Sequence, residues 1–424
     1  MTIAVKAQDD IIQAPSAYDI YENRPEEEMQ TFRKDLLSLL KSGSKKTDIP
    51  VFEWDLIKYL YSSVPTYELD SGADLWARVI KLGKKYYYPP TDEARLIDDS
   101  RDYLKGLFKT QPTVIDLGPG GYDSLEGKTL PTLKAVNPKN YIAFDHNSTF
   151  AYNAADFVKK NFHLGNSSFV HGDFTKPHDL KTTAPVLMTM YGCTLSQFPL
   201  SKTVGSALGS TPLKSVLKNL GEMVDYDAVF IATIDSNDGE GATECYIGPY
   251  MAKFMINLWD TVKTLLELNP NDKNNFVCVE GNKRSRPSEA FKYDPYFNGR
   301  GVVHSFFAKK EMDFVINGEQ YSIPRGAQID IGFSERWPVD AVVQETRGTG
   351  WSLAKVLPCA QSSISALVFA GKNVSEEQLL RAKGEVLKKT NSPPTEWQTP
   401  YDEEKRLEVK SPFTVVHKKR ALSC

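Results

Sequence analysis

The chain has 424 residues, 41% hydrophobic and 25% charged, which is more than one average domain and enough apolar material for a large core. Its formal net charge is -3, and no basic patch stands out, so a nucleic-acid or anionic-membrane partner is not expected. The five cysteines (Cys193, Cys245, Cys278, Cys359 and Cys424) are never in CxxC spacing, and the six histidines form no HExxH pair; this argues against a disulfide framework or a metal centre.

Residues 1–20 are small and polar and read as a tail ordered only by docking. They lack a basic stretch followed by an apolar one, and no apolar run reaches membrane-spanning length, so a reduced, cytoplasmic protein is expected. EEEMQTFRKDLLSLLK (26–41) reads as a helix, with acids first and lysine last as the helix dipole prefers. Residues 51–86 also read as helical, with Leu56, Leu60, Leu75, Val79 and Leu82 at helical spacing.

From residue 112 the rhythm changes. Five short apolar runs follow: PTVIDLGPGG, NYIAFDH (140–146), SSFVHGDF (167–174), APVLMTMYG (184–192) and DAVFIATID (227–235). Segments of helix length separate them. In TPLKSVLKNLGEMV, Thr211 is placed as N-cap and Pro212 at the first helical position, with Leu213, Val216, Leu217 and Leu220 on one face. Buried strands alternating with helices predict an α/β fold, a parallel sheet covered on both faces.

Residues 237–337 break the alternation. GPYMAKFMINLWDTVKTLLEL reads as a long amphipathic helix, and VVHSFFA, MDFVI, EQYSI and AQIDIGF read as antiparallel strands. Asn317-Gly318 between two of them signals a two-residue hairpin. After Trp337 a helix is expected, then GWSLAKVLPC and SISALVFAG as closing strands, then a charged surface tail.

The chemistry concentrates in VIDLGPGG (114–121), followed by Asp145 at the end of the next strand. Glycines directly after a first parallel strand let a ligand approach the backbone, and the following helix offers N–H groups. An acid ending the second strand can take the two ribose hydroxyls of an adenosine. A dinucleotide GxGxxG would use Gly118 and Gly120 but finds Asp123 at its third glycine, which weakens a hydride-transfer reading. The pattern D-x-G-x-G-G from Asp116 is that of class I methyltransferases. Asp173-Phe174 closes the third strand, where an acid can bond an adenine amino group while its neighbour packs the ring. The fourth strand ends at Tyr191 in MTMYGCTLSQFP, facing the same crevice beyond the strand carboxyl ends. Each residue has a plainer role open to it: the glycines as a turn, Asp145 as a helix cap, Asp173 as a turn residue. Their order across three successive β-α units favours the methyltransferase reading.

With these pieces in order, residues of roughly 45–370 resemble the histidine Nα-methyltransferase family of ergothioneine biosynthesis. Its fungal relatives include dimethylallyltryptophan N-methyltransferases. Tyr87-Tyr88-Pro89, with Thr91 and Glu93, is similar to the family's YYPTxxE segment, and Leu117–Gly120 to its LGSG loop. Gly192–Gln197 is similar to G-S-T-I-G-N, and Phe333–Trp337 to E-x-S-x-K-F. The resemblance implies S-adenosylmethionine as cofactor, bound by Tyr88, Asp116, Gly118, Gly120, Asp145, Asp173, Phe174 and Tyr191. It implies that Gln197 and Tyr246 hold and orient the amine, with Ser334 beside them. The family's asparagine is Gln197 here, and its imidazole-binding glutamate falls on Gly332. A glycine there is expected to make room for a bulkier, less polar acceptor, aryl or indole, in secondary metabolism of the alkaloid type. Asp330, two residues back and hence on the same strand face, is a candidate carboxylate. Tyr67 and Trp54 are candidates for the family's N-terminal tyrosine. The plain alternatives are a helix cap for Gln197 and Ser334 and an interface tyrosine for Tyr246.

The expected architecture is a class I, Rossmann-like methyltransferase sheet (87–236 and 338–371) that binds the cofactor. A second, α+β domain (21–86 and 237–337) would bind substrate, with extensions at 1–20 and 372–424. The competing functions are O- or C-methylation of a small aromatic metabolite, or a non-catalytic S-adenosylmethionine-binding regulator.

Overall fold

The apolar runs become one seven-stranded sheet: β1 (Thr113–Leu117), β2 (Asn140–Asp145), β3 (Asn166–His171), β4 (Val186–Met190), β5 (Ala228–Asp235), β6 (Trp351–Pro358) and β7 (Ile364–Gly371). The computed structural model describes residues 26–385 apart from 42–43, 47–48, 54–55, 63–69, 84–85, 181, 183–184, 201–210, 225–226, 238–239, 268–275, 281–282 and 317. Strand order is β6-β7-β5-β4-β1-β2-β3. β1 to β5 are parallel, and β7 pairs antiparallel with both β5 and β6. Every residue of β1, β4 and β5 is buried, because helices cover both faces. Alternate side chains serve alternate faces. Val114, Leu187 and Val229 pack with Leu125, Leu133 and Val158, whereas Ile115, Met188 and Phe230 pack with Val216, Leu217 and Leu220. Chain order reverses between β1 and β4, the switch point beyond whose carboxyl ends open α/β sheets bind ligands. This is the class I methyltransferase sheet expected.

A six-stranded sheet joins Ser44–Lys46 and Ile49–Glu53 to Gln328–Glu335, Gly301–Ala308 and Phe291–Tyr293, with Tyr296–Phe297 paired to the 301–308 strand. Helix Pro249–Glu267 packs Phe254, Leu258, Trp259 and Val262 into a core shared with Phe32 and Leu36 of helix Glu26–Lys41 and with Phe291, Phe306 and Ile331 of the sheet. The expected hairpin pairs Ile316 with Glu319. Gly318 has φ +81°, as such a turn requires, and Asn317 lies outside the described residues. Among the described residues no helix is long and apolar enough to cross a membrane.

Three expectations need correction. The helical reading of 51–86 gives way to strand Ile49–Glu53, a 3-10 turn Ile57–Tyr61 and a helix only over Gly72–Leu82. Ile49, Val51 and Phe52 are strand formers, Pro50 disfavours a helix interior, and the strand finds a parallel partner in 328–330. The helix predicted from Thr211 begins at Leu213 with Pro212 as its cap residue. Part of the predicted tail is helix Glu376–Lys383, capped by Ser375 and docked through Gln378 to the Leu107 carbonyl (2.6 Å) and Arg381 to the Gly106 carbonyl (3.2 Å). Ser375-Glu-Glu-Gln378 is a capping signature that the charge-based reading passed over.

Candidate active site

After β1 the chain turns through Gly118 (φ +69°) and Gly120 (φ +73°), a left-handed backbone that glycine alone adopts without cost. Nothing lies within 4 Å of where a Gly118 side chain would begin, so the backbone here faces open space. The Gly118 N–H donates to the Phe144 carbonyl (2.9 Å), fixing the loop to β2. The following helix opens at Tyr122–Ser124 and widens into a π-helical turn over Leu125–Thr129. Asp116, buried beneath, accepts from the hydroxyls of Thr129 (2.7 Å), Thr189 (3.0 Å) and Tyr141 (3.1 Å). Burial raises its pKa and the three hydroxyls oppose the shift. The Tyr191 hydroxyl lies 3.0 Å from that of Thr132. The polar atoms of Asp116 and Tyr191 are thus engaged by the protein, under the loop.

Asp145 ends β2 with its side chain buried. Its Oδ1 accepts from the Asn147 N–H (2.8 Å), and burial pushes the carboxyl pKa up. The helix cap is Asn147, not Asp145: Asn147 accepts from the N–H groups of Thr149 and Phe150, and its amide donates to the Tyr61 carbonyl (2.5 Å). Asp173 is exposed and accepts from the Thr175 N–H (2.9 Å) and hydroxyl (2.5 Å), closing a turn. Phe174 packs edge-on against Phe144 and Phe198.

Beside the loop after β4 lies a partly open pocket with ≈ 470 Å³ of empty space, the solvent at its mouth included. Its aromatic wall is Tyr61, Trp76, Tyr87, Phe254 and Tyr246, with Ile57, Leu60, Met251 and Met255 between them. Trp76 meets Tyr61, Tyr87 and Phe254 at centroid distances of 5.2–5.6 Å. Gln197, at the end of the 3-10 turn Thr194–Gln197, hydrogen-bonds to the buried Tyr61 hydroxyl. The turn is held from below by Glu93. One Glu93 oxygen accepts from the N–H groups of Gly192 (2.6 Å) and Cys193 (3.0 Å) and from the Thr233 hydroxyl; the other is 3.2 Å from Lys128 Nζ. Gly192 and Cys193 are both left-handed (φ +78° and +51°), which turns both N–H groups onto that single oxygen.

The opposite wall is polar. Arg336, buried, donates to the Tyr246 hydroxyl (3.3 Å) and lies 3.4 Å from Asp235. Asp235 also accepts from the Tyr88 hydroxyl, the Ser363 hydroxyl (2.5 Å) and the Asn237 N–H (3.0 Å). His304 bridges the hydroxyls of Tyr293 (Nδ1, 2.9 Å) and Ser334 (Nε2, 3.0 Å). Burial, with the nearby Arg336 charge, pushes the His304 pKa down to about 3. Burial pushes the Tyr246 hydroxyl up to about 12.

Gln197, Tyr246 and Ser334 therefore meet in one cavity. Gly332 does not open the space expected of it: a side chain there would meet Ile57 Cβ at 3.1 Å, so Ile57 already fills the position. The same-face argument for Asp330 fails as well. His304 pairs with Gly332 but Ser305 with Asp330, so a bulge at Ile331 sends Asp330 to the other face. There it accepts from Tyr296 (3.0 Å) and Gln328 (2.9 Å). Of the tyrosine run, Tyr87 lines the cavity while the Tyr88 hydroxyl is held by Asp235. Tyr67 and Trp54 lie outside the described residues. Sequence reasoning missed Ile57, Tyr61, Trp76, Phe254, His304, Asp235 and Arg336. A lone histidine in VVHSFFA and a cation directly after an apolar strand were usable signals for two of them. The apolar members look like ordinary core positions.

A family model described as histidine-specific, S-adenosylmethionine-dependent methyltransferase matches residues 32–370. No curated protein matches the chain. Similar solved structures include an S-adenosylmethionine-dependent methyltransferase from Clostridium acetobutylicum (10% identity, 70% of this chain and 96% of that chain, TM-score 0.36). A sugar N-methyltransferase from Streptoalloteichus sp. gives 10% identity over 70% of this chain and 92% of that chain, with a TM-score of 0.34.

Proposed function

The chain belongs to the histidine-specific, S-adenosylmethionine-dependent methyltransferase family, and we propose that it methylates the amine of a small aromatic, amino-acid-like acceptor rather than histidine. The observation that carries this reading is the cavity wall. Five aromatic rings line it, no carboxylate does among the described residues, and Ile57 fills the place beside Gly332 where the family resemblance expects a glutamate. An imidazole would lose its polar partner there, whereas an aryl or indole ring gains dispersion contact over its whole surface.

The crevice suits the cofactor. The left-handed backbone at Gly118 and Gly120, open at Gly118, admits a ligand, and Asp145 has Oδ1 on a backbone N–H and Oδ2 for a ribose hydroxyl. Asp173 would take the adenine amino group with Phe174 beneath it, while Asp116 and Tyr191 brace the loops and Tyr88 anchors its segment on Asp235. S-adenosylmethionine supplies an electrophilic methyl group; the remaining demands fall on the chain. Gln197, steadied by Tyr61, and Tyr246, steadied by Arg336, orient the amine through neutral hydrogen bonds. Such positioning can supply about 7–11 kcal/mol of barrier reduction. An α-amino group is mostly protonated near neutral pH, and only its neutral form has a lone pair to donate. The buried Arg336 charge and the dry aromatic wall both disfavour the ammonium form. The nitrogen releases its extra proton after transfer.

The test is melting with S-adenosylhomocysteine, followed by product analysis after incubation with S-adenosylmethionine and L-tryptophan, L-tyrosine or L-histidine. The cofactor product should raise the midpoint, since it binds only the native state, and an aromatic acceptor should raise it further and emerge with its methyl on nitrogen. Methylated histidine alone would overturn the acceptor. A methyl on oxygen or carbon would overturn the acceptor atom. No rise with either cofactor form would remove the cofactor from the crevice described.

A further inference from the structure

We infer that Asp235 is a positioning residue for methyl transfer: one buried carboxylate ties together the three places where the chain passes between the two sheets, and so sets how far apart Gln197 and Tyr246 stand. The inference rests on the reading of those two residues as the groups that orient the acceptor.

The apolar cores on either side are separate. One lies between helix Pro249–Glu267 and the six-stranded sheet, and two others cover the faces of the seven-stranded sheet. The described chain passes between these parts three times: before helix Pro89–Asp99, after β5, and between strand Gln328–Glu335 and helix Val339–Glu345. Tyr88 stands at the first passage, packed against a core on each side, Asp235 at the second and Arg336 at the third. Asp235 is fully buried and joins all three. Its Oδ2 accepts from the Tyr88 hydroxyl and lies 3.4 Å from Arg336 Nη2. Its Oδ1 accepts from the Ser363 hydroxyl (2.5 Å) and the Asn237 N–H (3.0 Å). Ser236, next in the chain, donates its N–H (3.1 Å) and hydroxyl (3.0 Å) to the Ser363 carbonyl. The end of β5 is thereby fixed to the loop between β6 and β7, and Tyr88 and Arg336 are fixed to it.

The two acceptor-orienting groups lie on opposite sides of this junction. Gln197 ends the turn that follows β4, whereas Tyr246 precedes helix Pro249–Glu267 and packs in its core. Two links span the gap between them. Tyr61, from the side of the six-stranded sheet, hydrogen-bonds to Gln197. Arg336, held by Asp235, donates to the Tyr246 hydroxyl (3.3 Å) and to the Cys245 sulfur. A buried ion pair is often no more stabilising than apolar side chains of the same shape, so its use here points to geometry rather than stability. In-line displacement rewards such geometry, because a misplacement of about 1 Å can cost about a hundredfold in rate.

Asp235→Asn and Tyr88→Phe are compared with the native chain in two measurements. Hydrogen exchange read by mass spectrometry needs no acceptor: both variants should exchange faster at 86–89, 240–246 and 336–338 together, while β1 and β4 keep native protection. Turnover of L-tryptophan, L-tyrosine and L-histidine with S-adenosylmethionine is then followed, with S-adenosylhomocysteine affinity by calorimetry. Asp235→Asn should lower kcat by roughly ten- to a hundredfold with acceptor KM and S-adenosylhomocysteine affinity near native, the mark of lost alignment rather than lost binding. Tyr88→Phe, which keeps the ion pair, should lower kcat less. In a Tyr246→Phe background Asp235→Asn should cost little more, because both changes act through one hydroxyl. Native exchange at the three passages overturns the inference, whether or not any acceptor is turned over. So does a common fall in kcat, acceptor binding and cofactor affinity, or strict additivity with Tyr246→Phe; either would make Asp235 a structural residue only. Faster exchange in the variants with no probe turned over by the native chain would overturn the acceptor reading while upholding the junction. Should Asp235→Asn fail to fold, Tyr88→Phe decides both measurements.

Discussion

The carboxyl edge of the seven-stranded sheet and the cavity beside it are built by opposite means. At the sheet edge, backbone does the work: two left-handed glycines follow β1 and an acid ends β2, each set by a few contiguous residues. In the cavity, side chains do the work, drawn from three 3-10 turns, three helices, two strands and the loops between them, far apart in sequence. A cofactor common to a whole family can be held by local rules. An acceptor that differs between members needs a wall whose residues can be exchanged one at a time.

Glu93 joins the two regions, and the severest test falls there. Glu93→Ala removes the acceptor of two backbone N–H groups and a hydroxyl and leaves Lys128 buried without its partner. Chemical denaturation should show a loss of about 3–5 kcal/mol, typical of breaking a buried pair from one side. A loss within experimental error would mean that Glu93 does not join the regions. Next, Asp145→Ala should weaken S-adenosylhomocysteine binding by roughly ten- to a hundredfold in calorimetry while the ligand-free melting point moves little. Unchanged affinity would detach Asp145 from the cofactor. On the cavity side, Gly332→Ala forces a methyl to 3.1 Å from Ile57 and should cost about 1–3 kcal/mol. Combined with Ile57→Gly, which removes the Cβ that the new methyl would meet, the double variant should lose less than the sum of the single losses; strict additivity would show that Ile57 does not fill that place.

The last effect is one of pH. The folded pKa of His304 is lowered to about 3, so the folded chain keeps the imidazole neutral while the unfolded chain protonates it below about 6.5. Its contribution is fully present above that unfolded value and is lost as pH falls toward the folded one, with a slope on the order of 1.4 kcal/mol per pH unit. His304→Gln should flatten the stability profile over that window. An unaltered profile would show that His304 titrates normally.

The contrast between the regions is also the contrast in what the sequence disclosed. The strands β1 to β5 were legible because buried parallel strands are continuous apolar runs, and the Gly118–Gly120 turn because left-handed backbone calls for glycine in sequence. Asp145 was legible for the same reason of adjacency. Gln197, Tyr246 and Ser334 came from family likeness rather than from pattern. Ile57 and Trp76 could not be found, because a wall residue and a core residue have the same periodicity. Asp330 was misplaced by a single extra residue: period-two reasoning holds along an unbroken strand, and the bulge at Ile331 is a long-range pairing event with no local signature. The helix after Ser375 was overlooked because composition was weighed above its cap.

Glu93 has a thermodynamic consequence. It fastens the turn that carries Gln197 to the helix that follows the glycine turn after β1, through Lys128. A ligand that stiffens one end has already met part of the ordering cost at the other. Acceptor and cofactor should then bind with positive heterotropic cooperativity, and the gain must be the same whichever enters first, because linkage is reciprocal.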